Sequence, residues 1–108
     1  MGFSQHYVNY VTPEPIIEMS FDIMQMVAIA NKKLLRKSKI SQSEQCRQFK
    51  KQGIRLSQSI LYRMEHRKRF YMIGVNTIRL AGLCYYWRLS LTELLSIGKE
   101  ELSSNLNL

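Results

Sequence analysis

Two short stretches constrain this chain more than any others: "SQSE" at residues 41–44 and "SLTE" at residues 90–93. A serine followed three residues later by glutamate is the capping-box pattern. The hydroxyl can take the third helical N–H, and the carboxylate can reach back to the serine N–H. Each marks a helix start, and apolar residues follow at three- and four-residue steps: Cys46 and Phe49 after the first, Leu94, Leu95 and Ile97 after the second. The first helix is predicted over about Gln42 to Gln52, closed by Gly53, and the second ends near Gly98.

The rest of the chain reads the same way. Thr12 before Pro13 is an N-cap with proline in the first turn, so a helix from about Pro13 or Ser20 to Lys37 is predicted. Its stripe is Ile16, Ile23, Val27, Ala30 and Leu34. Met19, Phe21, Met26 and Ile29 fall partly off it. That surplus is consistent either with a twin subunit or with bulky residues reaching around a small core. Asn76 is read as the cap of a helix whose core side carries Ile78, Leu80, Ala81, Leu83, Cys84 and Trp87. With no period-two stretch, the expectation is an all-α, five-helix domain with an extended N-terminal helix, an arm over 1–12, the domain over 13–98 and a tail over 99–108.

Charge is unevenly placed along the 108 residues. Residues 1–30 hold Glu14, Glu18 and Asp22 and no cation, whereas residues 31–69 hold thirteen Lys and Arg against Glu44 and Glu65. The remainder is neutral, so the net +8 resides in the middle. Such a field attracts phosphate-bearing partners, although a basic run can also be a solvated face. Cys46 and Cys84 form no CxxC, and His6 and His66 stand at no metal-ligand spacing. Two thiols in apolar patterns read as a reducing compartment. "FDIMQMVAIA" is too short to span a bilayer, so a cytoplasmic location is expected. No catalytic triad, carboxylate pair or glycine-rich phosphate loop is recognisable, so neither an enzyme nor a cofactor is expected.

The decisive segment is "LSQSILYRMEHRKR", residues 56–69. On a wheel of 100° per residue with Gln58 at zero, Tyr62 falls near 40°, Ser59 near 100° and Arg63 near 140°. Ile60, Leu61 and Met64 gather between about 200° and 300°. One side is dry; the other is lined by hydrogen-bonding groups and leads into cations.

From about Ala28 to Ile97 the chain resembles the Cro and phage-repressor class of helix-turn-helix domains, the XRE type, whose fold is lambda-repressor-like. The resemblance is carried by "KISQSEQCRQF", "LSQSILYRMEHRKR" and "IRLAGLCYYWRLSLTELL". The connection between Phe49 and Leu56 is longer than in compact phage repressors and is similar to that of POU-specific domains, which leaves the angle between the two helices open. Within the class, Ser57, Gln58, Arg63 and Glu65 match the recognition helix of MrpJ-like regulators of fimbrial operons, and that resemblance implies repression of flagellar motility genes.

The resemblance implies double-stranded DNA as partner, with Gln58, Ser59, Tyr62 and Arg63 at base edges and Ser57 beside them. Gln42 would lie against backbone phosphate, and Arg55, Arg67, Lys68 and Arg69 would grip phosphates without reading sequence. Each has a plainer reading: Gln58 and Ser59 as helix-start polars, Arg63 paired with Glu65 or Glu44. Lys32, Lys33, Arg36 and Lys37 read as a solvated face, His66 as a solvated residue near the groove, and Leu61, Met64, Leu80, Leu83 and Trp87 as core. A homodimer is expected, through the first helix or the aromatic region after Leu83. The other reading is a protein-interaction module on the same fold, antitoxin-like or antirepressor. Membrane attachment fits poorly, because residues 16–30 carry only acids, and no small-molecule effector is evident.

Overall fold

The computed structural model describes residues 14–68 and 73–106, with side chains over 19–68 and 77–105. The arm, Thr12, Pro13 and Arg69 lie outside the described residues, and Ile16, on the first helix, lies outside those with described side chains. Among the described residues the chain is all-helical, with five helices: α1 Glu14–Ser38, α2 Gln42–Lys51, α3 Gln58–Glu65, α4 Ile73–Trp87 and α5 Leu91–Leu106. The all-α reading holds, and α1, at 25 residues, is the extended N-terminal helix.

Helix α1 is the spine. Its broadest contact is with α5, its next with α3, and it also touches α4, while α2 packs on α3 and α5 on α4. Because α1 is covered from more than one side, its buried face is wider than a single stripe: Met24 and Ala28 join Val27 and Ala30 in the core, and Leu35 is buried too. Phe21, Met26 and Ile29 are half-buried, whereas Met19 is exposed. Most of the apolar surplus is therefore consumed within the chain. Phe49, Leu61, Met64, Leu83 and Leu94 close the core from the other helices.

Three expectations need correction. Gly98 does not end the last helix but lies buried inside α5, which runs on to Leu106 through the expected tail. A Cβ at Gly98 would collide with the backbone of Met26, so the glycine is there to let α1 and α5 approach. Asn76 does not cap α4, which begins at Ile73. On α4, Ile78 and Ala81 face outward and Arg79 is buried. The Arg79 guanidinium is accommodated there because its Nε donates to the Arg55 carbonyl at 2.8 Å. Burial, then the nearby Arg55 charge, lower its pKa from the ordinary arginine value.

Four helix ends share one solution. After α1, α2, α3 and α4 the chain enters the left-handed region at Lys39, Gly53, Arg67 and Arg88, with φ of 57°, 76°, 57° and 57°. In each case paired backbone bonds close the end, as in Ile54 N to Phe49 O at 3.0 Å and Lys68 N to Arg63 O at 2.8 Å. This is the Schellman arrangement. Three of the four positions carry a cation, which favours the negative end of the helix dipole. The two capping boxes differ. Ser90 and Glu93 bond reciprocally, both at 3.1 Å, and the bond from the Ser90 N–H holds the Glu93 carboxyl below its usual pKa. Ser41 Oγ accepts from Glu44 N at 3.1 Å, but the Glu44 carboxylate turns to Arg47 and Gln48. A cation three residues ahead outcompetes the backbone N–H.

Inside the core lies a polar knot. Asn31 and Gln45, 1% and 0% exposed, exchange two amide bonds. Asn31 Nδ2 donates to Gln45 Oε1 at 2.9 Å and Gln45 Nε2 to Asn31 Oδ1 at 2.7 Å. Trp87 Nε1 donates to the same Asn31 oxygen at 2.8 Å. Three side chains thus join α1, α2 and α4. No buried side-chain nitrogen or oxygen among the described residues lacks a partner.

Two stability predictions follow from this packing. Gly98→Ala should lower unfolding free energy in urea melts by about 2–3 kcal/mol, an overpacking cost. Asn31→Leu should cost about 2–4 kcal/mol, because it orphans the Gln45 amide and the indole N–H. Combined with Gln45→Met, the loss should be smaller than the sum of the single losses.

Candidate nucleic-acid interface

The candidate surface is assembled from the first turns of two helices and the segment between them. Ser57, extended at φ −138°, caps α3 by accepting from Ile60 N at 3.1 Å. Helix α3 then turns Leu61 and Met64 inward, 3% and 0% exposed, and leaves Gln58, Ser59, Tyr62 and Arg63 exposed. The division of dry and wet sides expected from the helical wheel is the one observed. Gln58 Nε2 donates to Ser43 Oγ at 2.8 Å, so the starts of α2 and α3 stand side by side.

The connection after α2 is held at both ends. Gly53 provides the left-handed turn, Ile54 N returns to Phe49 O, and the backbone oxygen of Arg55 is bonded by Arg79 from α4. Leu56 is buried. The extra length is therefore a defined structure, and the α2–α3 geometry that the sequence leaves open is set by tertiary bonds.

Two depressions flank α3, and Gln58 borders both. One lies between α2, the connection and the α3 start, bordered by Arg47, Lys50, Arg55, Ser57 and Ser59. The other lies between the end of α1 and the α2 and α3 faces. There Gln42, half-buried at the first position of α2, stands with Tyr62, Lys32 and His66. The Tyr62 and His66 rings lie 4.2 Å apart between centroids.

The residues singled out from sequence separate into groups. Gln42, Arg55, Ser57, Gln58, Ser59 and Tyr62 border these two depressions. Arg63 is exposed on α3 and Lys68 just beyond it. Neither suggested partner of Arg63 is engaged with it: Glu65 pairs with Lys32 at 3.5 Å, and Glu44 with Arg47. Arg67 differs from expectation. Sitting in the left-handed position that ends α3, it is directed to α1 and pairs with Asp22. Of the first-helix cations read as a solvated face, Lys33 and Arg36 bind Glu101 at 3.3 and 3.1 Å, and these two hold the Glu101 carboxyl below its usual pKa.

Sequence reading missed Asn31, Gln45, Ser43, Arg79 and the Asp22–Arg67 pair. A signal existed for two of them. Asn31 lies four residues after Val27, and Gln45 four before Phe49, so each stands in an apolar helical row where a polar residue requires a buried partner. Arg79 carried no such signal.

Among the described residues no helix is long and apolar enough to cross a membrane, and no group of three or more His, Cys, Asp or Glu is placed to hold a metal ion. What the molecule defines is an all-α five-helix domain with an exposed, polar, cation-flanked helix. No family model, curated protein or solved structure matches the chain.

Proposed function

We propose that the protein is a sequence-specific double-stranded DNA-binding regulator that reads the major groove with α3. The observation that carries this reading is the outward edge of α3. Gln58, Ser59, Tyr62 and Arg63 are exposed together on a helix whose opposite side is buried in the core. Glutamine and arginine form bidentate bonds with adenine and guanine edges, and tyrosine can contact the thymine methyl. Arg55 and Lys68 lie on either side in sequence and are exposed, as backbone-gripping cations must be. The resemblance to MrpJ-like regulators makes flagellar promoter regions the first duplexes to try, repression of motility genes the expected outcome, and the cytoplasm the expected location.

A short helix entering one groove offers limited area, so we place the protein on paired half-sites as a homodimer. The outward row of α4 supports this. Ile78 and Tyr85, seven residues apart and 57% and 62% exposed, lie with exposed Ala81 on an outward row, which ends where the Arg88 guanidinium stacks over the Tyr85 ring at 4.5 Å. A partner protein on the basic face is the other reading, favoured by tight protein binding with no DNA affinity at low salt.

In fluorescence anisotropy against promoter duplexes, Gln58→Ala and Arg63→Ala should each cost about 1–3 kcal/mol and relax preference at one base position. Lys68→Ala should weaken every sequence alike. Identical behaviour of the two kinds of variant would remove α3 as the reader. In sedimentation, wild type should run as a dimer and Tyr85→Glu as a folded monomer; a dimeric variant would place the seam elsewhere.

A further inference from the structure

We propose that Asp22 and Gln25, on the N-terminal half of α1, are positioning residues that fix the tilt of α3, and thereby its preference among base pairs, without touching the duplex. This rests on the DNA-binding reading and adds to it a source of specificity on a helix outside the reading edge.

Helix α3 has only eight residues, so it is roughly 12 Å long. A shift of about 1 Å at one end tilts such a rod by about 5°, whereas base-reading side chains must be held to within about 0.5 Å. Neither end can be left to drift. The start is held by the Ser57 cap and by the Gln58–Ser43 bond. The last turn, which carries Tyr62 and Arg63, needs an anchor of its own.

That anchor comes from α1. Beyond Glu65 the backbone N–H groups of His66, Arg67 and Lys68 return to the carbonyls of Tyr62, Met64 and Arg63. The Glu65 carbonyl is the next acceptor along, and it receives Gln25 Nε2 at 3.1 Å. A helix ends in carbonyls that its own turns leave without a donor, and here one of them is met from 40 residues upstream. Because the acceptor is backbone, the bond holds the helix itself and not a mobile side chain. One turn earlier on α1, Asp22 pairs with Arg67, whose backbone lies at φ 57° in the turn that closes α3. Asp22, Gln25, Ile29 and Lys32 recur at three- and four-residue steps, so they share one face of α1, and Lys32 reaches Glu65 at 3.5 Å.

Neither proposed residue is suited to contact DNA. Asp22 carries the same sign as phosphate, and Gln25 is half-buried with its amide donating to Glu65. Neither borders the two depressions beside α3. Their effect on recognition is therefore transmitted through α3. With its side chain 54% exposed, Asp22 adds little stability through its ion pair, so its replacement leaves the fold intact.

The test starts by selecting a preferred duplex from a random-sequence pool with the full wild-type chain. Anisotropy then follows on that duplex, on its single-base variants and on an unrelated duplex. Gln25→Leu removes the donor without changing charge. It should lower the ratio of specific to unrelated affinity about tenfold, the size of one lost base contact, while the salt slope and the affinity for the unrelated duplex stay at wild-type values. Preference should fall at the base position that Arg63→Ala relaxes and persist at the one that Gln58→Ala relaxes, since Gln25 holds the Arg63 end. Asp22→Asn should act at the same position, and Asp22→Glu, which keeps a carboxylate opposite Arg67, should retain wild-type preference. In the free protein, amide residual dipolar couplings should show α3 turned relative to α1 in Gln25→Leu and Asp22→Asn, with thermal melts showing that both variants fold. Unchanged couplings with an unchanged ratio would overturn the proposal and leave the α3 reading standing. A uniform loss at every base position would overturn it too, as the mark of general destabilisation. If Asp22→Asn raises affinity for both duplexes and steepens the slope, Asp22 only screens Arg67 from phosphate, and the positioning role is lost. If selection returns no preferred sequence, the DNA-binding reading itself fails and takes this inference with it.

Discussion

The buried exchange between Asn31 and Gln45, with the Trp87 indole bonded to the same Asn31 oxygen, is the contact on which the rest of the structure depends. Apolar burial holds α1, α2 and α4 near one another, but it tolerates sliding, because one aliphatic contact is much like its neighbour. Two amides facing each other in a dry interior tolerate no such shift, since a displaced donor or acceptor would be left without a partner where water cannot replace it. The knot therefore sets the register of α2 against the spine. Through α2 it sets where Ser43 stands, and through the Gln58–Ser43 bond it locates the start of α3.

Charge is divided between two tasks. Acids from three helices, Asp22, Glu65 and Glu101, take up cations of the basic segment and tie α1 to the end of α3 and to α5. These exposed or half-exposed pairs contribute little stability singly. Their larger effect is on the field: they neutralise Lys32, Lys33 and Arg36 on α1 and Arg67 beyond α3, while Arg55, Arg63 and Lys68 stay exposed around α3.

Much of the helix layout was legible because it depends on local chemistry. Ser41 and Ser90 each accept a backbone N–H at the helix start where the pattern placed a cap, and the division of α3 follows from Ile60, Leu61 and Met64 recurring at helical spacing. The misreadings share a cause. Gly98 looks like a helix terminator because glycine usually is one, and only the closeness of the Met26 backbone shows why it lies mid-helix. Arg79 looks like a surface cation because its partner is a carbonyl 24 residues away. Arg67 looks like one more phosphate contact in a basic run, and the left-handed turn that sends it to Asp22 is a feature of how α3 ends over α1.

By itself the sequence determined the all-α class, the starts of α2, α3 and α5, and the polar edge of α3, because caps and three- to four-residue periodicity act within a turn or two of chain. Tertiary structure alone decided which cations remain outward, how the long connection is held, and which face of α4 is buried. Those outcomes depend on residues that meet only after α1 has gathered the other helices around it, and no local pattern encodes the distance between groups so far apart along the chain.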